Sequence, residues 1–382
     1  QKKLARTNKE PTLNEILEDC SADSLRLCYA LSPAVKGEPF RLNLVHLSSI
    51  EKNIKLVLYK QIFIFLQNAI QDWEMATKRA FLFEETHLNN YYTDVLDKWL
   101  ISATYDSLRR YCEAMDNLKL GEAVQIAKDL LEKFSGVYLI LIKLRSFDYS
   151  SKSYKDFLNL VFYVMFCLLF LFAPIMPFIT EEMYLRLRRF IPRNSYFYDE
   201  SIHLIQMPKY DTSLIDERLL KGFNAMAVII ENLDNFRIHY KNPTKKVIIL
   251  AENCEVLENL KPFLLYLHKI MKIGIIEFES DLEKYFCFKI VLNLMETSKA
   301  FKGQLRDFRR KVEELSQDKI REFRKNGKLT IDDYKLEKRH VLGYKCILNP
   351  ETVPVEWRLV QGTLVYLLFD QSEEPHLEEI IM

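Results

Sequence analysis

Residues 157–180 read FLNLVFYVMFCLLFLFAPIMPFIT, a run without one charged side chain. Its length and apolarity meet the requirement for a bilayer-spanning helix. Three features of the run argue instead for a helix enclosed by protein. Its aromatic residues are spread along its length rather than gathered at two ends. Lys152, Lys155 and Asp156 precede it and Glu181 and Glu182 follow, so neither flank carries the positive bias of a membrane segment. Pro174 and Pro177 fall in its last third, where they end a helix by removing amide donors and crowding earlier carbonyls. The glutamates after Thr180 are expected at the start of the next helix, facing its positive end. A helix apolar all round belongs at the centre of a packed bundle, which the flanking sequence must supply.

The chain has room for that bundle and for one or two further domains, at 382 residues. Its 49 % hydrophobic and 28 % charged residues are an ordinary globular balance, and mean hydropathy is −0.12. A net charge of +1 excludes a strongly basic nucleic-acid binder or an acidic tail protein, so any nucleic-acid contact must come from local clusters. With only 9 glycines the chain contains no GxGxxG and no GxxxxGK[ST], which rules out glycine-rich phosphate cradles. The seven cysteines, at 20, 28, 112, 167, 254, 287 and 346, form no CxxC, and the histidines form no HExxH. Free thiols in a reducing compartment are expected, and no metal. The N-terminal QKKLARTNKE lacks the apolar core of a secretory signal.

Apolar residues recur at three- and four-residue spacing over about 44–83, 92–116, 121–147 and 152–173, and again over 179–190 and 212–236. Thr12 to Glu15 has the form of a capping box opening an earlier helix. Beyond about Pro208 helices and strands alternate. Strands are expected at 245–250, 275–278, 286–292, 329–331, 341–348 and 359–369, and helices at 255–272 and 301–326. The fold class expected is mainly α, a helical bundle followed by a smaller α+β module.

Several stretches together resemble one family. Cys20-Ser-Ala-Asp-Ser-Leu-Arg-Leu27 followed by Leu31-Ser-Pro-Ala-Val-Lys-Gly-Glu-Pro-Phe40 is similar to the segment joining the catalytic core to the helical bundle in class I aminoacyl-tRNA synthetases. Its Ser-Pro-x-Val-x-x-Glu resembles isoleucyl-tRNA synthetases. Leu96-Asp-Lys-Trp-Leu100 resembles the Asp-Arg-Trp-Ile-Leu that opens a helix of that family's anticodon-binding bundle. Phe172-Ala-Pro-Ile-Met-Pro-Phe-Ile-Thr-Glu-Glu-Met-Tyr184 resembles its Met-Ala-Pro-x-x-Pro-Phe-x-x-Glu-x-x-Tyr. Ser201-Ile-His-Leu-Ile-Gln-Met-Pro208, Thr297-Ser-Lys-Ala-Phe-Lys-Gly303 and Phe323-Arg-Lys-Asn-Gly327 resemble the eukaryotic type and its C-terminal extension.

The resemblance implies a linker from the catalytic core over 1–43, an anticodon-binding helical bundle over 44–208 and an α+β extension over 209–382. It also implies a function, gripping the anticodon stem-loop of tRNA(Ile) for ATP-dependent isoleucylation by upstream domains. ATP, and Mg with it, would belong to those domains, and no cofactor is expected within this chain. The expected location is cytoplasmic. Partners are tRNA(Ile) and the upstream synthetase domains or a larger protein assembly, with no membrane. Lys3 and Arg6 stand where the family's Lys-Met-Ser-Lys-Ser loop has its two lysines, which offset charge developing on ATP phosphates. The serine is absent, and arginine is not an equivalent point charge.

For RNA the resemblance points to Tyr138, Lys143 and Arg145, remnants of an arginine-rich helix whose neighbours have become apolar. It points as well to Arg237 and Lys241 in a shortened basic segment. Arg306, Arg309, Arg310 and Lys311 fall in 302–328, where ten Lys or Arg face five acids and Phe301, Phe308 and Phe323 are interleaved. A solvated helix surface accounts for that stretch equally well. The alternative function is a catalytically inactive synthetase-like paralogue with a structural or regulatory role in a larger assembly.

Overall fold

The computed structural model describes residues 13–40, 42, 44–85, 94–239, 246–301, 303–332, 334–349, 352–354, 357–361 and 365–370. It divides into two compact units, residues 1–223 and 224–382, with the division falling inside one helix.

The first unit is helical. Helix α1 covers Leu13–Asp19 and α2 covers Ala22–Ala30, the latter capped by Ser21, whose Oγ accepts from the Ser24 amide at 3.2 Å. Helix α3, Leu44–Ile50, continues through widened turns over Glu51–Phe63 into α4, Ile64–Thr77, with the Ile64 amide reaching the Tyr59 carbonyl five residues back. Asp94 caps α5, Val95–Asp116, and α6 follows over Leu120–Lys133. A widened turn at Phe134–Tyr138 leads to the short α7, Leu139–Ile142. Helix α8, Lys152–Phe172, starts at Ser151, and α9 covers Pro177–Leu187.

Helix α8 holds residues 157–172 of the uncharged run after a charged first turn, and it packs against α4, α5, α6 and α9. Of its most apolar window 89 % is buried inside the unit, so its apolar surface is already covered by protein. Phe162, Phe166 and Phe172 are fully enclosed. Its one amide side chain, Asn159, is also fully buried, and its Oδ1 accepts from the Glu84 amide at 3.1 Å. That bond pins the strip after α4 across the core helix, beside the ion pair of Lys155 with Glu84.

Helix α9 begins three residues before the expected start at Thr180. Pro177 occupies its first turn, where a missing amide costs nothing because that donor has no helical partner. The carboxylate at its positive end is not Glu181 or Glu182. It is Asp23 of α2, whose Oδ2 accepts from the Ile179 amide at 2.8 Å and whose Oδ1 accepts from the Phe178 amide at 3.3 Å. Glu181 instead accepts from the Ile202 amide at 3.0 Å and from the Ser201 hydroxyl at 2.9 Å. Thr12, the expected cap of α1, lies outside the described residues.

Helix α10, Glu217–His239, carries the division between the units at Phe223. The second unit then runs β1 (Lys246–Leu250), α11 (Cys254–Leu260), α12 (Leu264–Met271), β2 (Ile275–Glu279) and β3 (Phe286–Leu292). After these come α13 (Leu294–Ala300), α14 (Leu305–Glu313), α15 (Gln317–Asn326), β4 (Lys328–Ile331) and β5 (Tyr334–Glu337). The last described strands are β6 (Val341–Leu348), β7 (Trp357–Gln361) and β8 (Tyr366–Asp370). One sheet has the order β2-β1-β8-β7, in which β1 and β2 are parallel and joined by the α11–α12 crossover. Strands β3 and β6 form a separate antiparallel pair, as do β4 and β5. One core gathers Ile248, Leu250, Phe286, Phe288, Ile320 and Leu368. A second gathers Phe308, Val312, Phe323, Leu329, Ile331 and Leu336.

Candidate nucleic-acid interface

The motif residues Leu96, Trp99 and Leu100 of α5 are all buried. Trp99 stacks on Phe223 with ring centroids 3.4 Å apart, and Ser102 Oγ accepts from the Asp216 amide at 2.7 Å just before α10. Asp97, on the same helix, is 5 % exposed and needs partners, because a lone buried carboxylate is costly. Tyr138 supplies one: its hydroxyl donates to Asp97 Oδ1 at 2.7 Å. Arg145 supplies the other, with Nη1 2.9 Å from Asp97 Oδ2, and it also pairs with Asp94 at the start of α5. Burial pushes the Asp97 carboxyl up, against the pull of Arg145 and of the Tyr138 hydrogen bond. The Tyr138 phenol is pushed far up, first by burial and then by the charge of Asp97.

This clasp corrects the expected role of Tyr138. Its ring is fully buried and stacks on Phe134 with centroids 5.7 Å apart, so no base can reach it. Arg145 is turned inward onto two carboxylates. The apolar face around them packs inside, with Leu139, Leu141 and Ile142 all buried. Lys143 alone of that trio is exposed, with no acidic partner among the described residues. Arg237 lies in α10, whereas Lys3, Arg6 and Lys241 fall outside the described residues.

The basic stretch of the second unit is similarly divided. Phe308 and Phe323 are core residues, and Phe301 stacks on Phe308 with centroids 4.0 Å apart, so the interleaved aromatics are not a stacking platform. Burying them leaves the charged sides of α14 and α15 facing solvent. Arg309 is exposed and bonded to Glu313 at 3.0 Å, and Arg310 is exposed and bonded to Asp307 at 2.8 Å. Lys311 bridges Asp332 at 2.9 Å and Asp307 at 3.4 Å, and its bond to Asp332 holds its ammonium above the ordinary value. Arg324 pairs with Glu252 and lies over the Phe288 ring, 3.9 Å from its centroid. Arg306, Lys319 and Lys325 remain exposed with no acidic partner among the described residues. The last two escaped sequence reasoning as particular sites, because which cations pair along a helix depends on side-chain reach.

Residues 97–252 match the family described as the anticodon-binding domain of tRNA ligase. Over that stretch the chain is similar to the anticodon-binding domain of tRNA ligases. Isoleucine–tRNA ligases are its relatives over most of its length. That of Tetrahymena thermophila is 28 % identical over 306 residues, covering 76 % of this chain and 28 % of the relative. The cytoplasmic enzyme of Schizosaccharomyces pombe is 25 % identical over 88 % of this chain and 32 % of its own length. A Chlamydia trachomatis isoleucine–tRNA ligase is 24 % identical over 98 % of this chain and 35 % of its own. The chain thus spans about a third of the length of these relatives. Packing explains the Leu96–Leu100 motif of this chain: it buries Trp99 under Phe223 and sets Asp97 against Arg145.

Proposed function

We propose that this chain is the tRNA-binding part of an isoleucine–tRNA ligase, gripping the anticodon stem-loop of tRNA(Ile) for isoleucylation driven by ATP in upstream domains. The observation that carries the reading is the anticodon-binding match over 97–252 within a chain whose relatives are isoleucine–tRNA ligases. The cytoplasm is the corresponding location, given the names of the relatives from Schizosaccharomyces pombe and Mus musculus.

The groups that suit phosphate are the exposed cations Lys143 in the first unit and Arg306, Lys319 and Lys325 in the second, with Arg309 and Arg310 on the same helix as Arg306. The helical ion pairs of Arg309 and Arg310 are solvent-exposed and worth at most about 1 kcal/mol, so a phosphate can replace the carboxylate. Tyr138 and Arg145 act through the bundle, by fixing α7 and the following turn against α5.

Filter binding of an isoleucine tRNA transcript to the purified chain, titrated against salt, tests the reading. The logarithm of the affinity is expected to fall linearly with the logarithm of salt concentration. Replacing Arg306, Lys319 and Lys325 together by glutamate should weaken binding and reduce that slope by about 2. Failure to bind any tRNA at low salt would overturn it.

A further inference from the structure

Strand β3 pairs with β6 along one edge only. On its other edge the side chain of Gln317 imitates a neighbouring strand. Its Oε1 accepts from the Phe288 amide at 2.7 Å and its Nε2 donates to the Phe288 carbonyl at 3.0 Å. Backbone groups along a strand alternate in direction, so Ile290, two residues on, turns its amide and carbonyl the same way. Among the described residues nothing meets them there.

That edge faces a groove of about 550 Å³ lined by every residue from Phe288 to Leu292 and by Val312, Leu315 and Ile320 on its helical wall. A second hollow of about 400 Å³ lies on the far side of Gln317, along Phe286 and Cys287. Three cations line the first groove, Lys289, Lys345 and Arg309, against one acid, Glu313, which Arg309 already engages. Lys289 and Lys345 stand directly opposite each other across the strand pair, both exposed and without an acidic partner among the described residues. Like charges in register repel, and an incoming carboxylate would relieve them. Leu294 at the groove's end is 59 % exposed.

We propose that the β3 edge receives an extended segment of a partner protein, added as a strand beside Ile290, with acidic and aliphatic residues in alternation. Side chains of an added strand point alternately to the two faces. One set meets Lys289 and Lys345, which calls for carboxylates, and the other faces the groove's helical wall, where Leu315 is half-buried and Val312 and Ile320 are buried, which calls for aliphatic groups. Backbone hydrogen bonds to Ile290 supply the register. An RNA strand fits less well, because the outward carbonyl of Ile290 repels phosphate oxygen and the wall is aliphatic.

The test is fluorescence anisotropy of a labelled Gly-Ser-Glu-Val-Glu-Val-Glu-Val-Gly-Ser peptide titrated with the full chain. Saturation is expected below about 100 µM. The same peptide N-methylated at every Glu and Val amide should not bind, since neither of its edges then has donors for strand pairing. The double variant K289E/K345E should bind at least about tenfold more weakly, with an unchanged circular dichroism spectrum. Amide exchange at Ile290 should slow when the peptide is present. Absence of saturation at 1 mM, or equal binding of the N-methylated peptide, would overturn the proposal. So would a K289E/K345E variant that loses tRNA affinity while its peptide affinity is untouched, which would give the groove to RNA. Because the peptide assay contains no tRNA, its outcome is separate from that of the tRNA titration.

Discussion

The carboxylate of Asp23 caps a helix that begins more than 150 residues later: its Oδ2 accepts from the Ile179 amide at 2.8 Å. One turn along α2, Arg26 completes the contact. Its Nε and Nη2 donate to the carbonyls of Ile175 and Pro174, each at 2.8 Å. The amides four residues on, of Phe178 and Ile179, turn to Asp23, which leaves these two carbonyls without helical partners, and a planar guanidinium serves both at once. The Ser-Ala-Asp-Ser-Leu-Arg and Ala-Pro-Ile-Met-Pro-Phe motifs are therefore two halves of one structure.

Replacing Asp23 by alanine removes the cap and strands two amides at a site only 2 % exposed. The expected loss is about 2–3 kcal/mol. Asp23→Asn keeps one acceptor oxygen and should cost about half as much. Urea unfolding measures both. The double variant D23A/R26A should be less destabilised than the sum of the single variants, because both side chains hold the same corner.

Arg145→Ala leaves Asp97 as an unpaired buried charge and should cost about 3 kcal/mol. Adding Asp97→Asn to that variant removes the charge while keeping an acceptor for Tyr138, so stability should partly return. Tyr138→Phe should cost about 1–2 kcal/mol and leave tRNA affinity unchanged when measured on folded protein. A tenfold loss of affinity in that variant would restore Tyr138 to the RNA surface.

Helix α15 ends at Gly327 with φ 71°. A Cβ there would also lie 2.4 Å from Lys338 Cε, though that side-chain end can move. Gly327→Ala should therefore cost about 1–2 kcal/mol, chiefly from the left-handed backbone, and Gly327→Asn less. Thermal unfolding of the three proteins gives the order.

Burial pushes the Cys167 thiol up to about 12, and it raises the phenols of Tyr111, Tyr154 and Tyr163 as well. Each of these groups holds its proton more tightly in the fold than in the unfolded chain. Their contribution is present in full below the unfolded values, about 8.5 for cysteine and 10 for tyrosine, and is lost as pH rises towards the folded values. The urea midpoint should hold steady to about pH 8.5 and then fall. At pH 8 iodoacetamide should modify the exposed Cys254 and leave Cys167 untouched until the protein unfolds.

Local periodicity made much of this fold legible. The stripe Leu96, Trp99, Leu100, Ala103 marks α5, and the uncharged run marks α8, because burial on one or all sides of a helix writes itself into three- and four-residue spacing. Strand β3 was legible to the residue from its apolar run. Strand β5 escaped, since Tyr334-Lys-Leu-Glu337 is too short and too polar to show alternation. The site was less legible for a related reason. Tyr138 and Arg145 carry the composition of an RNA face, and only their distance to Asp97 reveals that they serve the interior. Phe308 and Phe323 likewise sit between cations in sequence and point away from them in space. Spacing reports which face a residue occupies, not what lies opposite that face.

The Asp23 cap also sets a timetable. Its two partners are 156 residues apart, so during synthesis Asp23 must wait for Ile179 to be made. At ordinary rates of translation that is roughly 8–30 s. Throughout that interval the segment carrying α2 has no docking place for its carboxylate or guanidinium, while α4, α5 and α6 are already being made. The clasp that joins the start of the chain to the proline corner is thus a late closure, made only after the central α8 has been synthesised.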